Sequence, residues 1–520
     1  MGAMVLSLSG IICKVIGAIY RIPLSNILGT QGMGCYQMAY PVYSLLVTAS
    51  SAGIPVAVSK LVAEDLARGD ECGAYEVFSA ARTSLAAIGA VFSVLLFVLS
   101  DVLARMMGLP AAATALKCIA PSVLFVAVAS GYRGYMQGRL LMGATAVSQL
   151  VEQCVRMAAG LSIAGAMAGV SAAMGAGGAM IGVTISEIAG LAVMMIYHAA
   201  KKYARTAGMC GSKRRRMETL GKIYSIALPV TAGACAVAAV SAIDSAMIVR
   251  MLGDIGYSQE RAAGAYGLLT GFVQPIVNMP AVLSGAVAVS IVPAVAAACA
   301  RGDMAATGVQ STLAFRLAML ISMPCSAALF VLSEPLLGLL YSSLSGEELK
   351  SAAYLLRLLS PCVCMLGASQ VCSGILQGCG RTVMPVLSTA LGALLKVFVG
   401  LWLIRIPEIN IAGAAIGTLI CFFACSLIDI ALCRKYAVMK VDIKECVLIP
   451  SAACAGMSLI MFIIQGYLPD RWGTILAVLS GCAVYAIILL TTGGIKPDDM
   501  RFIPKGDAAE RFLRKIRIWR

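Results

Sequence analysis

Four polar side chains share one face of a predicted helix within a long apolar stretch. Gln149, Glu152, Gln153 and Arg156 follow one another at i, i+3, i+4 and i+7, the spacing that aligns side chains along a helix. Ionisable groups inside a membrane span cost roughly 2.5–3.5 kcal/mol each at mid-helix, so they usually face a partner or a cavity. Two interpretations remain open: an internal Glu152–Arg156 ion pair that holds helices together, or the wall of a binding site.

The first predicted helix carries a second polar stripe. Ser7, Lys14 and Arg21 follow at seven-residue steps, nearly two turns, and therefore lie on one side of the helix. Lys14 is close to the middle of the span, where its side chain cannot reach the membrane surface, whereas Arg21 is near enough to one end to extend to it. We expect Lys14 to face a cavity, and for Arg21 both a cavity and the interface remain open.

Other ionisable residues of the predicted spans extend this set. Arg133 and Lys396 are further cations, and Glu187 and Asp244 are carboxylates that could couple transport to an ion gradient. Cations outnumber acids in the spans, and Arg and Lys pair well with phosphate, which favours an anionic cargo. The candidate substrate-binding residues of a central cavity are Lys14, Arg21, Arg133, Gln149, Glu152, Gln153, Arg156 and Lys396.

The composition predicts the secondary structure that positions these residues. Of 520 residues, 60% are hydrophobic and 12% are charged, and the mean hydropathy is +0.91. A soluble chain carries roughly 25% charged residues. The apolar runs are roughly 20–30 residues long, enough to cross a bilayer as helices, and they do not alternate as barrel strands do. We predict an all-α integral membrane protein with about fourteen transmembrane helices.

The net charge of +15 is explained by membrane topology. Basic residues gather in the segment 201–221, after the twelfth predicted span and in the tail, all on one side of the membrane. Positively charged loops stay in the cytoplasm, so both termini are predicted there. The amphipathic end of the tail, residues 508–520, is predicted to lie on anionic lipids of the inner leaflet. The charge therefore indicates membrane lipids as partners, and no nucleic acid.

The two halves of the sequence resemble each other. LFVLSD at 96–101 recurs as LFVLSE at 329–334, RGD at 68–70 recurs at 301–303, and GYMQG at 134–138 recurs as GILQG at 374–378. A shared order with drifting offsets indicates duplication into two parallel six-helix lobes, between which transporters of this kind bind their substrate. The predicted division is an N-lobe at 1–200, a basic cytoplasmic linker at 201–221, a C-lobe at 222–436, two added helices within 437–493 and a basic cytoplasmic tail at 494–520.

The sequence contains no motif for catalysis, for a metal or for a cofactor. GxxxxGK[ST], GxSxG and HExxH do not occur, His198 is the one histidine, and the 19 cysteines are scattered through apolar runs. We therefore expect a protein that is not an enzyme and has no cofactor and no metal. The energy source would be an ion gradient, the membrane potential or none.

Four short segments carry a family resemblance. They are GTQGMGCYQ at 29–37, AGIPVAVSK at 52–60, YRGYMQG at 132–138 and SQLVEQCVR at 148–156. Together they resemble the stage V sporulation protein B family, and the resemblance runs over most of the chain. That family belongs to the polysaccharide transporter branch of the MOP flippase superfamily, which also contains the MATE antiporters and the MurJ-type lipid II flippases.

This resemblance implies fourteen helices in two MATE/MurJ-like lobes and a flippase in the bacterial cytoplasmic membrane. The expected cargo is an undecaprenyl-pyrophosphate-linked cell-wall precursor, either lipid II or a related lipid-linked glycan. Lys14 resembles the arginine of the MurJ-type first-helix motif, and Arg21 lies one residue out of register with the second arginine. Where the MurJ pattern has charges in helices two and eight, this sequence is uncharged at 47–49 and 267–269, which leaves the site geometry and the particular cargo open.

Two other functions are compatible with the sequence. A MATE-like cation or drug antiporter would use Glu187 and Asp244 as carriers of the exchanged ion. A scaffold that recruits cell-wall synthesis enzymes would use the basic tail for docking. Mid-membrane Lys14, Glu152 and Arg156 argue against the scaffold, because a protein that only recruits partners does not need costly charges in its spans.

Overall fold

The computed structural model describes residues 2–200, 213–344 and 346–494. Most of the predicted basic linker and the whole amphipathic tail at 508–520 lie outside these ranges, and the side chain of Ser7 is also outside the description. By its internal packing the chain divides into two units, Met1–Gly271 and Phe272–Arg520. The lobe boundaries inferred from the sequence repeat stay a prediction.

The described residues form helices and no strands. The first unit contains α1 (Gly2–Ser51), α2 (Ile54–Ala67), α3 (Glu71–Met106), α4 (Ala112–Gly138), α5 (Met142–Ala168), α6 (Ala172–Ala200), α7 (Lys213–Asp254) and α8 (Gln259–Gly267). A π-helical segment, Leu268–Val273, follows α8. The all-α prediction is confirmed.

The second unit has nine α-helices within the described residues. They are α9 (Gln274–Ala300), α10 (Met304–Val331), α11 (Ser333–Leu340), α12 (Gly346–Leu359), α13 (Cys362–Gly378), α14 (Val383–Leu403), α15 (Ile411–Tyr436), α16 (Ile449–Tyr467) and α17 (Arg471–Thr491). A π-helical turn, Lys444–Leu448, precedes α16. Helices α12 and α13 meet at a bend of 43°.

Among the described residues, 11 helical segments are long and apolar enough to cross a membrane, or 12 if the bent α12–α13 pair is one span. The prediction of about fourteen counted two spans in Ser9–Ala67, which is one continuous apolar segment here. Helix α5 is not among the 11, because its polar stripe lowers its hydropathy. A multi-pass membrane protein is confirmed, and the count of fourteen stays a prediction.

Helix α1 changes direction at Gly29. Gly29 has φ 63° and ψ −174°, a conformation that glycine adopts without the steric cost of a Cβ atom. Further along, a Cβ on Gly34 would collide with the carbonyl of Ala263, and one on Gly267 would collide with the carbonyl of Thr30. The break and these small residues let α1 pass along α5 in its first half and press against α8 in its second half.

Some repeated segments form the same local structures in both units. Gly69 and Gly302 have φ of 76° and 71°, and each is followed by an aspartate whose carboxylate caps the next helix by accepting a backbone N–H. A Cβ on Gly134 would lie 2.9 Å from a carbonyl oxygen of α2, and one on Gly374 would lie 2.8 Å from a carbonyl oxygen of α9. These local matches agree with a duplication, whereas the relation between whole lobes stays a prediction.

Candidate functional site

Four charged side chains from three successive helices meet inside the first unit. Arg133 of α4 donates from Nη2 to Oε2 of Glu152 of α5 at 2.8 Å. Arg156, one turn further along α5, donates from Nη2 to Oε1 of Glu152 at 3.1 Å and to Oε1 of Glu187 of α6 at 2.8 Å. We call Arg133, Glu152, Arg156 and Glu187 the charged quartet.

Close backbone packing between α5 and α6 makes the quartet possible. A Cβ on Gly182 of α6 would collide with the backbone of Gly160 of α5, so the helices touch without intervening side chains. One turn beyond the quartet, Ser148 of α5 donates a hydrogen bond to the carbonyl of Gly190 of α6 at 2.8 Å. These contacts fix α6 close enough for the Glu187 carboxylate to reach Arg156.

The quartet is electrically balanced and largely shielded. The side chains of Arg133 and Arg156 are 20% and 17% exposed, and those of Glu152 and Glu187 are 10% and 6% exposed. Charges in such surroundings persist only when each has a partner, and removing one partner of a buried pair is strongly destabilising. Arg156 is the central member because it bridges both carboxylates. The structure therefore contains the Glu152–Arg156 pair that the spacing allowed, enlarged by Arg133 and Glu187.

The two cations of α1 have a different environment. Within the described part of the chain, Lys14 and Arg21 form no ion pair and no hydrogen bond; Lys14 is exposed and Arg21 is half-buried. Oε1 of Gln153 lies 3.8 Å from the position that a Cβ on Gly17 would take, so the polar stripe of α5 faces the same stretch of α1. The first half of α1 thus brings two unpaired cations alongside the helix that carries Glu152 and Arg156.

The remaining predicted site residues are not part of the quartet. Gln149 and Gln153 are half-buried on α5. Asp244 is half-buried on α7, whose main contacts are with α1, α2, α3 and α8. Lys396 lies on α14 of the second unit, against Gly417 of α15. The substrate-binding and coupling roles of all these residues stay predictions.

A row of tyrosines on α1 was not identified from the sequence. Tyr36, Tyr40 and Tyr43 follow at i, i+4 and i+7, with ring centroids 6.4 Å and 5.9 Å apart. Tyr36 and Tyr40 are close enough to Arg156 to interact with its charge. The sequence does place these three tyrosines at helical spacing in one span. That pattern could have marked them as candidate site residues, because aromatic rings can stack on Arg and on sugars.

The second unit holds a buried carboxylate that the sequence analysis also missed. Asp429 of α15 is 1% exposed, and it accepts hydrogen bonds from the hydroxyls of Ser369 at 2.6 Å and Ser388 at 2.5 Å. Asp429 could have been identified in the same way as Glu187, because each is an acidic residue within an apolar segment, here 411–433. Its partners could not be inferred, because they lie on two other helices.

We expect Gly182→Leu to disrupt the quartet without changing a charged residue. The leucine side chain has no room against Gly160, so α5 and α6 must separate and the Arg156–Glu187 contact must lengthen. Thermal unfolding of the purified protein should shift to lower temperature, and transport should fall. Gly165→Leu on α5 is the matched control, because no atom lies within 4 Å of its Cβ position. Equal stability and activity of the two variants would contradict this account of the packing.

The all-helical fold, with charged groups buried among long apolar helices, is that of a multi-pass membrane protein. The family model described as "Polysaccharide biosynthesis protein" matches residues 1–299, more than half of the chain, and the model described as "MatE" matches residues 229–402. The chain belongs to the polysaccharide biosynthesis protein family, within the MOP superfamily of transporters.

Three known proteins are similar to this chain over most of its length. Stage V sporulation protein B of Bacillus subtilis (strain 168) is 26% identical over 522 residues, covering 97% of both chains. Lipid II flippase MurJ of the same organism is 24% identical over 465 residues, covering 86% of this chain and 85% of the relative. A solved structure of lipid II flippase MurJ in an inward closed conformation superposes with a TM-score of 0.70 at 13% identity, over 93% of this chain and 98% of that one. The likeness to MurJ and MATE transporters confirms the predicted resemblance.

Proposed function

We propose that the protein is a flippase for an undecaprenyl-pyrophosphate-linked cell-wall precursor, either lipid II or a related lipid-linked glycan. It would carry this lipid across the bacterial cytoplasmic membrane by alternating access, as a transporter rather than as an enzyme. Both termini would lie in the cytoplasm, as the distribution of basic residues predicts. The observation that carries the proposal is the pair of unpaired cations, Lys14 and Arg21, on the stretch of α1 that runs along the charged quartet.

Unpaired cations in a membrane helix favour an anionic cargo. Lys14 and Arg21 have no carboxylate to neutralise them in the described structure, so a pyrophosphate could approach them without displacing a partner. A guanidinium binds two phosphate oxygens at once, and an ammonium binds as a point charge. Tyr40 is half-buried, whereas Tyr36 and Tyr43 are 6% exposed, so Tyr40 is the member of the row that would offer a ring surface to a sugar beside these charges.

The charged quartet supplies a way to release the cargo again. Arg156 is shared between Glu152 and Glu187, so a pyrophosphate that reaches Arg156 competes with two carboxylates. Protonation of Glu187 would remove one competitor and favour the bound state, whereas its ionisation would restore the pair and expel the phosphate. This gives Glu187 the coupling role and leaves Asp244 and Lys396 as predicted contributors from α7 and α14.

The relatives support the same class of cargo. One is named a lipid II flippase, and the relative with the larger coverage is named for sporulation. At 24–26% identity the particular glycan can differ. The uncharged segments 47–49 and 267–269 mark where this chain departs from the MurJ pattern.

A MATE-like antiporter is the second candidate function. The "MatE" match over residues 229–402 and the buried carboxylates Glu152 and Glu187 favour it. Such a protein would take up cationic dyes in exchange for protons or sodium ions, and Glu187→Gln would abolish that uptake. Both carboxylates are already neutralised by arginines, which is a poor arrangement for attracting a cation.

Complementation tests the proposed function. The chain would be expressed in a bacterium depleted of its own lipid II flippases, and growth would be followed alongside membrane expression. We expect growth to be restored by the parent protein and by Lys60→Ala, which removes an exposed cation of α2 that is not part of the proposed site. Good expression without growth would reject lipid II as cargo and leave a related lipid-linked glycan to be tested.

A further inference from the structure

The second unit contains a cavity of about 560 Å³ that plays no part in the proposed transport site. It lies where α10 ends, α11 begins and the α16–α17 hairpin turns, and α12 closes another side. Its volume is within the range of roughly 300–1,000 Å³ that small-molecule sites occupy. The hairpin turn is at the opposite end of α16 from the basic loop that follows α15, so the cavity faces the outer side if basic loops are cytoplasmic.

Two guanidinium groups and two carboxylates line this cavity. Arg357 donates from Nε to the hydroxyl of Ser333 at 2.7 Å, and its Nη2 lies 3.9 Å from Oε2 of Glu334. Asp470 accepts the N–H of Gly473 through Oδ1 at 2.8 Å, which leaves its second oxygen available. Arg471 forms no ion pair or hydrogen bond with any part of the chain that the structure describes. The cavity therefore offers a free cation and a nearby anion.

Apart from Gln465 and Thr474, the rest of the wall is apolar, and exposed aromatic side chains lie beside it. Phe462 lines the cavity and is 72% exposed, facing outward from α16. Tyr467 and Trp472, at the ends of α16 and α17, are 84% and 77% exposed. Exposed aromatic rings at helix ends are typical of the zone where lipid headgroups meet the hydrocarbon core. The cavity thus has charged side chains on one part of its wall and the exposed ring of Phe462 on another.

We infer that this cavity binds the headgroup of a zwitterionic glycerophospholipid. The phosphate diester would contact Arg471 and Arg357, the ammonium group would contact Asp470 and Glu334, and an acyl chain would lie along Phe462. Charge complementarity favours a zwitterion over an anionic lipid, because the two carboxylates would repel a headgroup that carries only negative charge. Bound there, the lipid would brace the α16–α17 hairpin against α10 and α11.

Native mass spectrometry of the purified full-length protein tests this inference. The protein, delipidated in detergent, would be titrated separately with dioleoylphosphatidylethanolamine, dioleoylphosphatidylglycerol and inorganic phosphate. We expect tighter binding of the ethanolamine lipid, and affinity on the order of tenfold lower in Arg471→Gln, as expected for the loss of one charge-assisted hydrogen bond. Arg405→Gln is the matched control, since Arg405 is an exposed cation at the end of α14, on the same predicted side and outside the cavity.

A second variant separates a specific site from a damaged fold. Glu334→Gln removes one carboxylate, so the preference should shift from the ethanolamine lipid towards phosphatidylglycerol, a change that misfolding does not produce. Equal affinity of the parent for both lipids would overturn the inference. An equal loss of lipid affinity in Arg405→Gln would indicate that removing any cation on this side weakens binding, and it would also overturn the inference. Displacement of the lipid by inorganic phosphate at comparable concentration would show a free-anion site instead.

Discussion

Arg156→Ala should abolish transport and destabilise the first unit by about 3–5 kcal/mol. The substitution leaves Glu187 buried without its cation and leaves Glu152 with Arg133 alone. The measurement is thermal unfolding of the purified protein in detergent, together with growth in the complementation strain. Arg156→Lys should recover part of the stability, because an ammonium restores the charge without the bridging guanidinium geometry.

A double variant separates the two effects of Arg156. Arg156→Ala combined with Glu187→Gln leaves a balanced pair, Arg133 with Glu152, and no ionised carboxylate lacking a partner. We expect most of the lost stability to return while transport remains absent, since the proposed phosphate ligand Arg156 and the proposed coupling carboxylate Glu187 are both missing. Transport by the double variant would show that Arg156 only holds helices together.

Lys14→Ala should reduce transport roughly 10- to 100-fold, the cost of losing one charge-assisted hydrogen bond to a phosphate. Stability should stay unchanged or rise slightly. Lys14 has no partner in the described structure, so its removal leaves no other charge uncompensated. The measurement is the flipping rate in reconstituted vesicles, beside thermal unfolding of the same preparation.

Two further variants show whether the charge at position 14 matters for transport itself. Lys14→Arg should keep most of the rate, because the cation remains. Lys60→Ala should keep all of it, because Lys60 is 61% exposed and its pairing with Glu64 at 3.8 Å is a surface contact. A normal rate in Lys14→Ala would contradict the proposed role of α1.

The sequence was sufficient to predict the contacts that lie within one helix. The spacing of Glu152 and Arg156 allowed their ion pair as one of two interpretations, and the seven-residue step from Lys14 to Arg21 predicted that both lie on one side of α1. Glu187 was assigned to a separate coupling role, because nothing in the sequence reveals that Gly182 packs on Gly160 and brings α6 against α5. Contacts between helices depend on which small residues face each other, and a single sequence does not contain that information.

The membrane fold was predictable from composition, whereas its details were not. Apolar length predicted helices, but the break of α1 at Gly29 depends on a backbone conformation that many membrane glycines never adopt. The aspartates that cap α3 and α10 are the last residues of the matched RGD tripeptides, so the local effect of the duplication was visible in the sequence. The cavity at the α16–α17 turn was not visible in the sequence, since its charged residues come from three separate segments.

Direct flipping by the purified protein tests the central claim. The protein would be reconstituted in liposomes with a fluorescent undecaprenyl-pyrophosphate-linked glycan, and movement of the label between leaflets would be followed beside uptake of a cationic dye under a proton gradient. We predict movement of the lipid-linked glycan by the parent, movement slowed roughly 10- to 100-fold in Lys14→Ala, and no dye uptake. Gradient-driven dye uptake without movement of the glycan would contradict the account and identify a cation antiporter.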